Sequence, residues 1–194
     1  MSRNYIIVGT KRSGHHAIIN WLIPQIGGTV RHFNDQRYFR KQVDEVDADW
    51  YYKCLRLHYC RILSDDGREK RPERYEEFIN IPNVVSFEET KPSVIFENAN
   101  KWITDFDTEL KRNNKDFKIE NNNEYILVIR NPWNIMASHL KWKNRVPMYA
   151  RKNLVSNIWN DMYQIYSGEK NSNVYVVLFD KWFSDIEYRK KISE

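Results

Sequence analysis

Gly9-Thr10-Lys11-Arg12-Ser13-Gly14-His15-His16 is the stretch whose residue types and spacing first suggest chemistry. An apolar run, Tyr5–Val8, leads into it, and Ala17, Ile18, Trp21 and Leu22 follow as one stripe of a helix that Pro24 stops. A strand, a glycine-bracketed loop and a helix make a cradle for an anion. Backbone N–H groups and the positive end of the helix converge on it. The nucleotide-hydrolysing version of such a loop reads G-x-x-x-x-G-K-[ST], with the Ser or Thr on Mg²⁺. Here the glycines keep that spacing, but His15 and His16 replace the Lys and the hydroxyl residue. The anion cradle is retained, the magnesium ligand is not, and the cations lie inside the loop at Lys11 and Arg12. The implied chemistry is transfer of an anionic group without an obligatory metal.

A second strand–turn–helix pattern occurs at Tyr125–Ile129, Arg130-Asn131-Pro132 and the residues up to Ser138. Asn131 suits a helix cap and Pro132 the first helical turn. Arg130 falls at the C-terminal end of a strand, where open α/β sheets bind ligands. Ser138 lies six residues past Pro132, about 9 Å along a helix axis. Arg130 as a fork and Ser138 as a hydroxyl donor can meet on one phosphate.

Together the two motifs resemble the sulfotransferases that use 3′-phosphoadenosine 5′-phosphosulfate (PAPS). That family's first loop, P-[KR]-S-G-[TS]-[TS], binds the 5′-phosphosulfate, and its cation is catalytic. Arg12 matches that cation, and Ser13, Gly14, His15 and His16 fill the loop, with His where Thr or Ser is usual. The family's second motif, Arg-x-Pro with a Ser eight residues after the Arg, binds the 3′-phosphate and matches Arg130, Pro132 and Ser138. The resemblance spans about Tyr5 to Phe179 and includes the late run Val174–Phe179 followed by Asp180. It implies an α/β fold with a parallel sheet flanked by helices, of the P-loop nucleoside-triphosphate-hydrolase type. It also implies Lys11, Arg12, Ser13, Gly14, His15, His16, Arg130 and Ser138 as donor-binding residues, with no metal. The reaction implied is sulfuryl transfer to a hydroxyl or amine acceptor, a carbohydrate being one candidate. Many members continue into a basic, Gly-containing segment that covers the nucleotide. This sequence has no match to it before Glu194, so the expectation is one domain over 1–194 without that segment.

Such a transfer needs a general base on the acceptor. Val94-Ile95-Phe96-Glu97 resembles the strand that carries the base in heparan-type members, which makes Glu97 the first candidate. Val84-Val85-Ser86-Phe87-Glu88-Glu89 is a competing strand ending in carboxylates. His58, in Lys53-Cys54-Leu55-Arg56-Leu57-His58, resembles the K-T-H pattern of cytosolic members. His32 reads as a strand residue rather than a catalyst. Cys54, His58 and Cys60 form a poor metal cage, being three ligands within seven residues of an expected strand.

The elements that must position these groups are strands at Tyr5–Val8, Thr29–Phe33, Val94–Phe96, Tyr125–Ile129 and Val174–Phe179, alternating with helices. The longest helix is expected from about Tyr149 to Tyr166, with Leu154, Ile158, Met162 and Ile165 as its apolar stripe. Strand–helix alternation argues for a parallel sheet. The stretch Arg61–Asn83 is the least readable, and Lys111–Asn123 reads as a polar surface connection. The chain has 194 residues, 41% hydrophobic and 29% charged, with six Gly and six Pro, which excludes collagen-like and wholly disordered classes. Its 31 basic and 26 acidic residues give a net charge of +5, enough to favour an anionic ligand but not to single out nucleic acid. Two cysteines and an N-terminus without a cleavable apolar segment point to a reduced, cytoplasmic setting, and no run is long enough to span a bilayer. Two rival functions remain open: a P-loop kinase or other nucleotide-binding protein, and a non-catalytic anion- or nucleic-acid-binding module using Lys141-Trp142-Lys143-Asn144-Arg145.

Overall fold

The computed structural model describes residues 3–36, 60–63, 69–70, 81–88, 90–98, 104, 108, 122–140, 148–168 and 174–193. The strands are β1 (Asn4–Gly9), β2 (Val30–Gln36), β3 (Cys60–Leu63), β4 (Glu69–Lys70), β5 (Asn83–Glu88), β6 (Asn123–Ile129) and β7 (Tyr175–Leu178). They form one sheet in the order β4-β3-β2-β5-β1-β6-β7. The five strands from β2 to β7 are parallel, and β3 and β4 extend the β2 edge in antiparallel fashion. The helices are α1 (His15–Leu22), α2 (92–98), α3 (Pro132–Leu140), α4 (Met148–Tyr166), α5 (Phe179–Ser184) and α6 (Ile186–Lys191). A 3₁₀ turn, Ile23–Ile26, continues α1 with Pro24 near its start.

Apolar residues of the central strands alternate between two cores, because successive side chains of a strand point to opposite faces. Ile6 and Val8 of β1 pack with Val85, Phe87 and Leu127 against Ile95 of α2 and Ile158, Met162 and Ile165 of α4. Ile7 of β1 packs with Val84, Ile126 and Val128 against Ile18, Ile19 and Leu22 of α1 and Phe179 and Trp182 of α5. Helices therefore cover both faces, as parallel sheets require. The expected α4 stripe holds at Ile158, Met162 and Ile165; the side chain of Leu154 lies outside the described residues.

A polar ladder fixes the register at the N-terminal ends of four strands. Asn4 Nδ2 donates to Asn123 Oδ1 at 2.9 Å, Asn83 Nδ2 to Asn4 Oδ1 at 2.9 Å, and Arg31 Nη1 to Asn83 Oδ1 at 2.7 Å. Asn4 and Asn83 are fully buried, so a one-residue slip of either strand would strand a polar group in the core.

One expected strand is corrected. Val94–Phe96 lies within helix α2, and the strand beside β1 is Asn83–Glu88. A short apolar run does not distinguish strand from helix by itself. Pro92 opens the helix, as its fixed φ allows. Asp161 of α4 accepts from the Ser93 amide and hydroxyl, both at 2.8 Å, satisfying first-turn donors. Every residue of β5 is buried, which is the pattern of a central strand. Phe179, read as the end of the last strand, begins α5 instead. Among the described residues no helix is long and apolar enough to cross a membrane.

Candidate functional site

The loop after β1 is tight for reasons written in its residues. Ser13 N–H donates to the Thr10 carbonyl at 2.9 Å, closing a turn. Arg12 sits at φ 69°, a left-handed conformation that costs a non-glycine residue about 1–2 kcal/mol. Gly14 sits at φ 86°, and a Cβ there would come within 2.2 Å of the Phe179 ring. A Cβ on Gly9 would lie 2.6 Å from the Ser13 hydroxyl. Both glycines are therefore needed for close approach, at Gly14 together with a positive φ. From Gly14 the chain enters α1, the Gly14 carbonyl accepting from the Ala17 and Ile18 amides at 2.9 and 3.3 Å.

β1 pairs with β6 in parallel, with Gly9 opposite Val128, so the two strand ends release their turns side by side. Arg130 then reaches the loop directly: its Nη1 donates to the Arg12 carbonyl at 2.7 Å. Its guanidinium also lies 5.1 Å from the centre of the Phe179 ring, and its Nε is 3.8 Å from Asp180 Oδ1. Asp180 accepts from the Asn131 amide at 2.7 Å and from Asn134 Nδ2 at 2.9 Å, tying the start of α5 to the start of α3. Asn131 caps that helix, its Oδ1 accepting from the Trp133 amide at 2.9 Å.

These contacts enclose a pocket of about 350 Å³, lined by Lys11, Arg12, Gly14, His15, His16, Glu88, Arg130 and Ser138. Three basic side chains and the start of a helix on one concavity suit an anion. Glu88 is the sole carboxylate among the described lining residues. It ends β5, directly opposite Gly9 in the register, and is 5% exposed. Its Oε1 lies 2.7 Å from His15 Nε2 and 3.7 Å from His16 Nε2. Burial by itself raises the Glu88 carboxyl pKa. The contact with His15 and the charges of His15, His16 and Lys11 outweigh burial and hold it below the ordinary carboxylate value.

The structure thus brings together Lys11, Arg12, Gly14, His15, His16, Arg130, Ser138 and Glu88. Ser13 is within the loop but fully buried, and its amide is spent on the internal turn. Glu97 stands exposed on α2 and does not line the pocket. His32 is buried in β2, its Nε2 3.3 Å from the Ser86 hydroxyl. His58, Glu89 and the Cys54 position lie outside the described residues, as does the side chain of Cys60. Sequence reasoning missed how Phe179 and Asp180 support the pocket-lining residues. Phe179 seats on the loop glycine, and Asp180 braces Arg130 and the second turn. The available signal was an acidic residue directly after the last strand. The chain matches no model of a known protein family and no curated protein.

Proposed function

We propose that the protein transfers a sulfuryl group from PAPS to a hydroxyl or amine acceptor, in a sheet of the P-loop type. The observation that carries this reading is the convergence of two anion-binding turns, after β1 and after β6, on one pocket through the Arg130–Arg12 contact. One turn suits a phosphosulfate and the other a second phosphate on the same nucleotide. The donor fits the residues present: the pocket joins Lys11, Arg12 and Arg130 to the start of α1, where the positive end of a helix favours an anion.

In this reading the donor supplies an activated sulfuryl group. Lys11 and Arg12 place positive charge where the departing phosphate gains negative charge, an interaction strongest in the transition state. Arg130 and Ser138 hold the 3′-phosphate. Glu88 takes the acceptor proton, its carboxylate kept ionised by the histidines and Lys11 beside it. Among the described carboxylate candidates, Glu88 lines the pocket and Glu97 does not, and that supports the choice of Glu88.

Calorimetric titration with 3′-phosphoadenosine 5′-phosphate, in chelator and then with Mg²⁺, tests the reading. Tight metal-independent binding is expected. Binding only of ATP with Mg²⁺ would favour a kinase, and salt-sensitive binding of single strands without nucleotide affinity would favour a nucleic-acid module.

A further inference from the structure

His15 and His16 are neighbours at the start of α1, where successive side chains diverge by about 100°. Glu88 nevertheless reaches both. One ligand-type atom from each of the three residues lies within 4.8 Å of the others. His15 is 3% exposed; its Nε2 lies 2.7 Å from Glu88 Oε1, while its Nδ1 has no hydrogen-bond partner among the described residues. That contact also helps hold the Glu88 carboxyl below its ordinary pKa. Two imidazoles gathered on one buried carboxylate are a ligand set as well as an ion pair.

We propose that His15, His16 and Glu88 form a binding site for a divalent cation of the zinc class. Two imidazole nitrogens and one carboxylate are a donor set for Zn²⁺ and its neighbours Co²⁺ and Ni²⁺. Mg²⁺ and Ca²⁺ prefer all-oxygen sets. Bonds of 2.0–2.2 Å around a tetrahedral ion separate ligand atoms by about 3.3 Å. The Glu88 oxygen now stands 2.7 and 3.7 Å from the two Nε2 atoms, on either side of that value. Small side-chain shifts close the set, and the fourth position opens into the pocket. Lys11, Arg12 and Arg130 oppose a bare dication, and an anion on the open position offsets them. The site shares Glu88 with the transfer reading, so a cation held there and a free carboxylate base exclude each other at any one time.

The test is titration of the chelator-treated full chain with Co²⁺ in a sulfate buffer, read by visible absorption, without nucleotide. The expected result is the intense d–d band of a four- or five-coordinate site, lost on adding Zn²⁺. Co²⁺ affinity should fall at least about tenfold in both His16→Ala and Glu88→Gln, since even outer-shell changes at metal sites cost 10–100-fold. The His16 side chain is 56% exposed, so its variant retains the fold, checked by circular dichroism, and decides the matter should Glu88→Gln not fold. Absence of the band, or an unchanged titration in folded His16→Ala, overturns the site. Because nucleotide is absent, either failure leaves the donor-binding reading standing on its own test.

Discussion

In the proposed transfer, Arg12 is the residue on which the chemistry turns. Its backbone is held in the left-handed region and its carbonyl is held by Arg130, so its position is set by the loop and not by its own side chain. Arg12→Ala is therefore expected to leave the cradle in place and lower kcat by about 10²–10³-fold, the loss seen for one transition-state donor. Donor affinity should fall less, because the amides of α1 remain. Steady-state kinetics at saturating donor checks this, and an unaltered kcat would remove Arg12 from the mechanism. Glu88→Gln should lower the rate by about 10²–10⁴-fold as a lost general base, with donor binding kept. The same residue links stability to pH. Its folded pKa lies below the unfolded value, so its stabilisation is present above the unfolded carboxylate range and is lost as pH falls through the folded value. Thermal melts against pH in chelator should show a steeper acid decline for the native chain than for Glu88→Gln; parallel curves would show that Glu88 contributes nothing. The loop cations and Arg130 were legible in sequence because their spacing is local. Glu88 was legible only as one of several candidates, since choosing it depends on which strand lies beside β1.

Elements make the site by adjacency, and two devices enforce it. The Asn123–Asn4–Asn83–Arg31 ladder aligns β6, β1, β5 and β2, and thereby aligns the ends that carry Arg130, the loop and Glu88. Asn83→Ala leaves buried partners unsatisfied and should destabilise the fold by about 1–3 kcal/mol, measured by denaturant titration. No loss of stability would deny the ladder its role. The second device is the seating of Phe179 on Gly14. Most of these elements were readable: β1, β2, β6, β7, α1 and α4 follow from apolar runs and a 3.6-residue stripe. The misreading of Val94–Phe96 shows where local pattern fails. Three apolar residues suit either state, and what decides for the helix is Asp161, 68 residues away, satisfying the Ser93 donors. The same error made Glu97 look like a strand-end base. The β3–β4 extension was unreadable because Arg61–Asn83 has no apolar periodicity of its own.

At the scale of the whole molecule, a sheet with five parallel strands, covered on both faces, places two turns from distant parts of the chain side by side at the C-terminal ends of adjacent strands. The hydrogen bond from Arg130 to the Arg12 carbonyl spans 118 residues of sequence and joins them. The central claim is that both turns serve one ligand bearing two separate anionic groups. Calorimetry of the native chain and Arg130→Ala, each with 3′-phosphoadenosine 5′-phosphate and with adenosine 5′-phosphate, tests it most directly. Arg130 also supports the loop, and the ligand without a 3′-phosphate reads that contribution alone. The account predicts a loss of about 1.5–3 kcal/mol for the bisphosphate, the worth of a charge-assisted hydrogen bond, and a much smaller loss for the monophosphate. Equal losses for the two ligands, or binding of neither by the native chain, would contradict it.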